Sequence, residues 1–312
     1  MDQPQAPNKK LSATRHPWWL RNRFLIQLAS IVLANSFFLR RFKGLCYPAL
    51  NCWSCPAANF ACPIGVLQNA GSDAGLTLTT APNLGQAVLR AIPVYAIGTL
   101  VVLGALFGRM MCGWLCPFGW LQEQVGRLRR KKLPIPNALS YLRYVVLVVL
   151  VFVIPFQTQT PWFSKLCPMG ALQGGLLHPL VDPGVREMMQ EWWWAKQAIL
   201  LVVLVAMVFW RRPFCATICP LGAIFSLFNR MSAWEIRFER DKCVDCMWCV
   251  KHCPQGIDPR LEVNGHKCVG CLECQKCPYG AIYSAPKWAP PRARGETGHE
   301  GEAGHEGEAA GG

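Results

Sequence analysis

The chain is 312 residues long, 52% hydrophobic and only 16% charged, with a mean hydropathy of +0.20. That balance argues against an ordinary soluble domain and fits a polytopic membrane protein. The net charge of +14, from 32 basic and 18 acidic residues, would suit nucleic acid, but the basic residues flank apolar segments and the tryptophans sit at segment ends, as membrane anchors do and stacking platforms do not.

Four apolar stretches follow one another, at 24–39, 91–107, 144–156 and 197–210. Each uncharged core is shorter than the roughly 20 residues that span a bilayer. The deficit closes if Arg90, Arg143 and Lys196 snorkel from the ends. Continuous apolar faces without a polar stripe argue against surface helices of a soluble bundle, and Trp18-Trp19 and Trp192-Trp193-Trp194 fall where interfacial belts would lie. Residues 1–230 are therefore predicted to form a four-helix transmembrane domain. No small-residue cleavage site follows the first apolar run, so it reads as a span rather than a cleaved signal.

Charge orients the domain. A cytoplasmic N-terminus puts five basic residues on that side, and seven more at 108–143, against four and three in the opposite segments 40–90 and 157–196. An even number of spans returns the C-terminal part to the cytoplasm, so both termini are predicted there, in a bacterial inner membrane. Residues 231–287 read as a compact cysteine-rich domain. Residues 288–312, with Gly298-His-Glu-Gly-Glu-Ala repeated from Gly304, read as a disordered tail.

Seventeen cysteines in such a chain point to ligands rather than disulfides. Six open Cys-Pro-x-Gly turns, at Cys62, Cys116, Cys167, Cys219, Cys253 and Cys277; the first four recur 54, 51 and 52 residues apart. The last two close a pair of C-x2-C-x2-C-x3-C-P runs, the ligand spacing of a two-cluster ferredoxin, in which the fourth thiolate of each run reaches the other cluster. Cys243, Cys246, Cys249 and Cys277 are thus assigned to one [4Fe–4S] cluster, and Cys268, Cys271, Cys274 and Cys253 to a second. A zinc reading of the C-x2-C pairs leaves four of these cysteines unexplained.

Cys112-Gly-Trp-Leu-Cys116-Pro and Cys215-Ala-Thr-Ile-Cys219-Pro lie 103 residues apart and read as a duplicated two-helix unit. Their four thiolates on the inner side suit a third cluster, with a soft metal such as Cu(I), redox-active thiols or buried structural cysteines as alternatives. On the outer side Cys46, Cys52, Cys55, Cys62 and Cys167 are five candidates for a fourth. The first four could suffice, Cys167 could replace Cys46, or pairs could form disulfides. The fold class expected is mainly α, four spans followed by a small α+β ferredoxin-type domain carrying two [4Fe–4S] clusters.

Other cofactors are argued against. There is no C-x-x-C-H for covalent haem, no histidine in an apolar core, and neither a Rossmann glycine motif nor a P-loop for NAD or ATP. Electrons must then come from a lipid-soluble carrier or another protein. Deprotonation of a quinol would fall to helix-end groups such as His178, Asp182 or Glu187.

The block Cys112-Gly-Trp-Leu-Cys116-Pro-Phe-Gly, with Cys215-x3-Cys219-Pro and the double ferredoxin run, resembles the NapH/MauN-type membrane iron–sulfur proteins and the C-terminal part of NosR-type proteins. The resemblance covers roughly 85–285 and implies four spans, a cytoplasmic ferredoxin domain and electron exchange between quinol and a redox partner protein. It carries over no extracytoplasmic flavin domain of the NosR kind, and the cysteine-rich loop 46–62 is additional to the basic pattern. The CcoG-type copper reductases share the plan, so a metal-reducing assembly factor is the competing expectation.

Overall fold

The computed structural model describes residues 17–35, 46–52, 55, 58–80, 93–129, 132–181, 184 and 192–291. The 288–312 tail lies almost wholly outside these, as do Arg90, Asp182 and Glu187. Two helices are long and apolar enough to cross a membrane, Ala138–Thr158 and Trp192–Phe209, with mean hydropathies of 2.3 and 1.8. Arg23–Ala34 and Val94–Phe107 are equally apolar in character but only 12 and 14 residues long as described. In chain order the main helices are α1 (Arg23–Ala34), α2 (Pro63–Thr80), α3 (Val94–Phe107), α4 (Pro117–Gly126), α5 (Ala138–Thr158), α6 (Trp192–Phe209) and α7 (Pro220–Phe228).

Helix α2 was not among the apolar stretches, because Gln68, Asn69, Ser72 and Asp73 dilute it. Its polar groups are spent inside the fold: Gln68 donates to Ser164 Oγ at 3.3 Å and accepts from the Ser164 amide at 3.2 Å, while Ser72 returns to the Gln68 carbonyl. α2 packs along the end of α5, where Gly75 approaches the Phe156 carbonyl so closely that a Cβ would stand 2.3 Å from it. Arg143 departs from its expected role. It does not snorkel but is fully buried, donating to the His266 carbonyl at 2.8 Å.

The cysteine-rich C-terminal unit is closed by an antiparallel pair, β1 (Trp234–Phe238) and β2 (Ile282–Pro286), with Ile236 opposite Ser284. It is docked on the helices. Asn229, just past α7, donates to the carbonyls of Gly265 and Cys268 at 2.8 and 2.9 Å, and Arg109 to those of His266 and Lys267. The tightest approach is at Gly113, where a Cβ would lie 2.7 Å from the Val269 carbonyl and 3.0 Å from Cys271 Cα. Only glycine fits between the Cys112–Cys116 turn and the second ferredoxin run.

Candidate iron–sulfur centres

The first Cys-Pro-x-Gly copies begin helices. In α4 and α7 the cysteine is the N-cap, proline is the first helical residue, and the glycine N–H three residues on donates to the thiol: Gly119 to Cys116 Sγ at 3.4 Å, Gly222 to Cys219 Sγ at 3.3 Å. Proline suits this position because its missing N–H would be unpaired there anyway. The N-terminal amides and helix dipole favour a thiolate over a thiol. Cys62 and Cys167 repeat the pattern, receiving amides from Gly65 and Gly170.

The thiols of Cys112, Cys116, Cys215 and Cys219 meet in the buried interior, close enough to act on one another electrostatically. Burial pushes the Cys112 thiol up to about 11 and that of Cys116 to about 12. Gln122 donates to Cys215 Sγ at 2.9 Å. Three arginines surround the set, Arg109, Arg143 and Arg212, none more than 2% exposed. Arg109 lies beside Cys112 and Arg143 beside Cys219. The buried Nε of Arg109, and Nε and Nη1 of Arg143, have no partner among the described residues. Buried cations with bare N–H groups need anionic neighbours, and four thiolates around an iron–sulfur cluster supply them. The site fits such a group in donor type and in charge.

These arginines escaped the sequence reading, which took Arg143 for a flank. The signal was there, because Arg109 and Arg212 both stand three residues before a cysteine, extending the duplication to Arg-x2-Cys-x3-Cys-Pro.

A second set forms around Cys62. Cys46 and Cys167 both interact with it, and Cys167 also with Cys52, whereas Cys55 points to the Gln173 carbonyl at 3.8 Å. A cavity of about 330 Å³ is walled by Cys52, Cys62, Cys167, Gly170 and Gly174. Gly170 and Gly174 lie beside Cys52, where a Cβ on either would stand in ordinary contact with its Sγ, at 3.8 or 3.7 Å. The donors and room fit a cluster here too.

The two sets are near neighbours, joined by α1 and the 46–62 loop: the Leu50 amide donates to Cys116 and the Asn51 amide to Cys62. Ser30 donates to the Leu115 carbonyl, next to Cys116, at 3.0 Å, while the Ala34 carbonyl receives Asn51 Nδ2 and the Asn59 amide from the 46–62 loop. Ser30 and Ala34 are four residues apart, about 6 Å along the axis. Tyr47 closes the gap: its hydroxyl donates to the Leu115 carbonyl at 2.8 Å, and its amide to that of Ala61, next to Cys62, at 3.0 Å. Cys62, Cys116, Cys167 and Cys219 share one buried cluster with Tyr47, Leu50 and Ala34.

In the C-terminal unit, Cys253 acts on Cys271 and Cys274 and is acted on by Cys268, while Cys249 faces Cys277. Cys246 is the most accessible of the eight thiols. Both runs take the same backbone shape, with φ of 51° and 58° at Asp245 and Met247 matched by 57° and 60° at Gly270 and Leu272. Such left-handed steps turn successive amides inward and make an anion-binding concavity. Among the described residues, no three His, Cys, Asp or Glu side chains gather tightly enough for a single metal ion.

Comparison with known proteins gives the same chemistry. Two family models, each described as a 4Fe–4S binding domain, match residues 91–136 with 192–239, and 236–257. The ferredoxin-type protein NapH of Haemophilus influenzae is 25% identical over 86% of this chain and 90% of its own length. MauN, the methylamine utilization ferredoxin-type protein of Methylorubrum extorquens, is 27% identical over 80% of each. An uncharacterized protein of Methanocaldococcus jannaschii, MJ0749, is 30% identical over 64% of this chain and 72% of its own. The chain belongs to the NapH/MauN-type ferredoxin proteins. No solved structure matches it. As a family member it is an iron–sulfur electron-transfer protein of membrane character, and the doubled match at 91–136 and 192–239 falls on the two Arg-x2-Cys-x3-Cys-Pro turns.

Proposed function

We propose that this NapH/MauN-type protein spans the bacterial inner membrane four times, through α1, α3, α5 and α6, and passes electrons between the quinone pool and a redox partner protein. Both termini lie in the cytoplasm. Cys243, Cys246, Cys249 and Cys277 hold one [4Fe–4S] cluster, and Cys268, Cys271, Cys274 and Cys253 a second. Cys112, Cys116, Cys215 and Cys219 hold a third, and four of Cys46, Cys52, Cys55, Cys62 and Cys167 a fourth. Each cluster, when bound, takes up and releases one electron.

The observation that carries the reading is that the 46–62 loop joins the two cysteine sets, the Leu50 amide donating to Cys116 and the next amide, of Asn51, to Cys62. A bilayer core of about 30 Å is otherwise too thick for one step between faces. The chain's own residues shape the route. Tyr47 links the two turns by hydrogen bonds, Arg109 and Arg143 favour added negative charge at the inner set, and Gly113 lets the ferredoxin unit press against it.

The test is anaerobic stopped-flow mixing of the oxidised protein with a short-chain ubiquinol. Wild type should lose visible iron–sulfur absorbance. A Cys62→Ala, Cys167→Ala variant should lose that response yet still bleach with dithionite. No response of wild type to quinol, while dithionite bleaches it fully, would remove the quinone from the reading.

A further inference from the structure

A second cavity, of about 690 Å³, lies where the ferredoxin unit meets the helix ends, away from the thiol sets just described except for Cys253 at its edge. Nine of its lining residues are arginine or lysine, against two glutamates. Several of these charges are already satisfied. Arg23 and Arg212 share Glu123, Lys276 pairs with Glu273, Lys132 caps the carbonyls of Met207 and Val208, and Arg211 donates to three carbonyls of the ferredoxin unit.

Four cations remain, Arg21, Arg127, Arg129 and Lys251, all exposed and without a carboxylate partner among the described residues. On the wall, Arg212 is only 2% exposed, and beyond its pairing with Glu123 its Nε and Nη1 have no partner among the described residues. Four cations and a buried guanidinium around one cavity set up a positive potential that attracts an anion.

The position of the cavity narrows the anion. Arg23 is the first residue of α1, and Met207 and Val208 belong to the last turn of α6, so the cavity opens at the level where two apolar helices end. Phe24, on its rim, is 42% exposed, and Arg129 lies over the Phe209 ring at 5.0 Å. Apolar surface below and phosphate-binding groups above match a phospholipid, whose headgroup sits at that level.

We propose that this cavity binds the phosphate headgroup of an anionic phospholipid, which bridges Lys251 of the ferredoxin unit to Arg21, Arg127 and Arg129 on the helix ends. The lipid adds a charged contact between the two units. The assignment rests on the membrane placement given under the proposed function, but not on how many clusters the chain holds.

The experiment is native mass spectrometry of the full chain, purified anaerobically and released from phosphatidylcholine nanodiscs with or without phosphatidylglycerol. Wild type should retain phosphatidylglycerol. An Arg127→Gln, Arg129→Gln variant should retain it about thirtyfold less, since each basic residue near a charged surface contributes about one kcal/mol. Unchanged retention in the variant would overturn the proposal. So would displacement of the lipid by inorganic phosphate at equal phosphate concentration, which would make the site one for a soluble anion. Iron content measured on the same samples separates the two readings, since lost retention at constant iron leaves the electron-transfer assignment untouched.

Discussion

The same four letters, Cys-Pro-x-Gly, build two different structures in this molecule. In the helical core they start α4 and α7, with the glycine amide aimed back at the thiol. In the ferredoxin unit they end a loop, and Gly256 and Gly280 take φ of 71° and 63°, a conformation open to glycine at little cost. The surroundings differ as well. The core thiols meet in the buried interior beside Arg109, Arg143 and Arg212, whereas the ferredoxin thiols lie in left-handed turns, where only Cys268 and Cys271 feel the buried arginines. A motif thus fixes which atom binds, while the fold around it sets the charge that the bound group meets.

Removing the core donors tests that contrast most severely. A Cys116→Ala, Cys219→Ala variant should lose about four irons per chain, one [4Fe–4S] equivalent, while the ferredoxin signals in its EPR spectrum persist. Loss of both sets together would mean that the two regions assemble as one.

Glu123 sharpens the electrostatic half. Its carboxylate joins Arg23 to Arg212, and Glu123→Gln leaves both cations short of a partner, at an expected cost of about 3–5 kcal/mol in thermal or denaturant unfolding. Although burial alone would raise it, the two guanidinium groups hold the Glu123 carboxyl below its usual value of 4.5. The stabilisation is therefore fully present above pH 4.5 and is lost as pH falls through the lowered value, a loss the Glu123→Gln variant should not show.

Arg109 lies beside Cys112 and also donates to the His266 and Lys267 carbonyls of the ferredoxin unit. Arg109→Gln should lower the reduction potential of the group held by Cys112 and its neighbours by about 60 mV, a tenfold change in a one-electron equilibrium, and shift the ferredoxin potentials by less. Redox titration followed by EPR reads both. The smallest effect expected is from Gly280→Ala, about 1 kcal/mol of strain at a left-handed position, measured as a lowered unfolding midpoint.

Local spacing made much of this legible. The ferredoxin runs, the paired Cys-x3-Cys-Pro turns and the family resemblance all rest on residues within a few positions of each other. The apolar stretches at 144–156 and 197–210 were found in place but short, since α5 starts at Ala138 and α6 at Trp192. What escaped depends on contacts across the chain. α2 was hidden because its polar residues dilute the apolar pattern, two of them, Gln68 and Ser72, bonding inside the fold. The 46–62 loop gave no sign that Tyr47 would reach Leu115, 68 residues away. Arg143 was expected at a helix end, and Arg109 and Arg212 were given no role, because a sequence does not say which arginines will be buried beside thiols.

The central claim is that the buried cysteine sets, and not the ferredoxin unit alone, hold iron–sulfur clusters. Iron and acid-labile sulfide per chain, in protein purified without oxygen, test it most directly. With four irons in each cluster, the account predicts about sixteen of each per chain. A value of about eight, with the core thiols free to alkylation or loaded with copper, would contradict it.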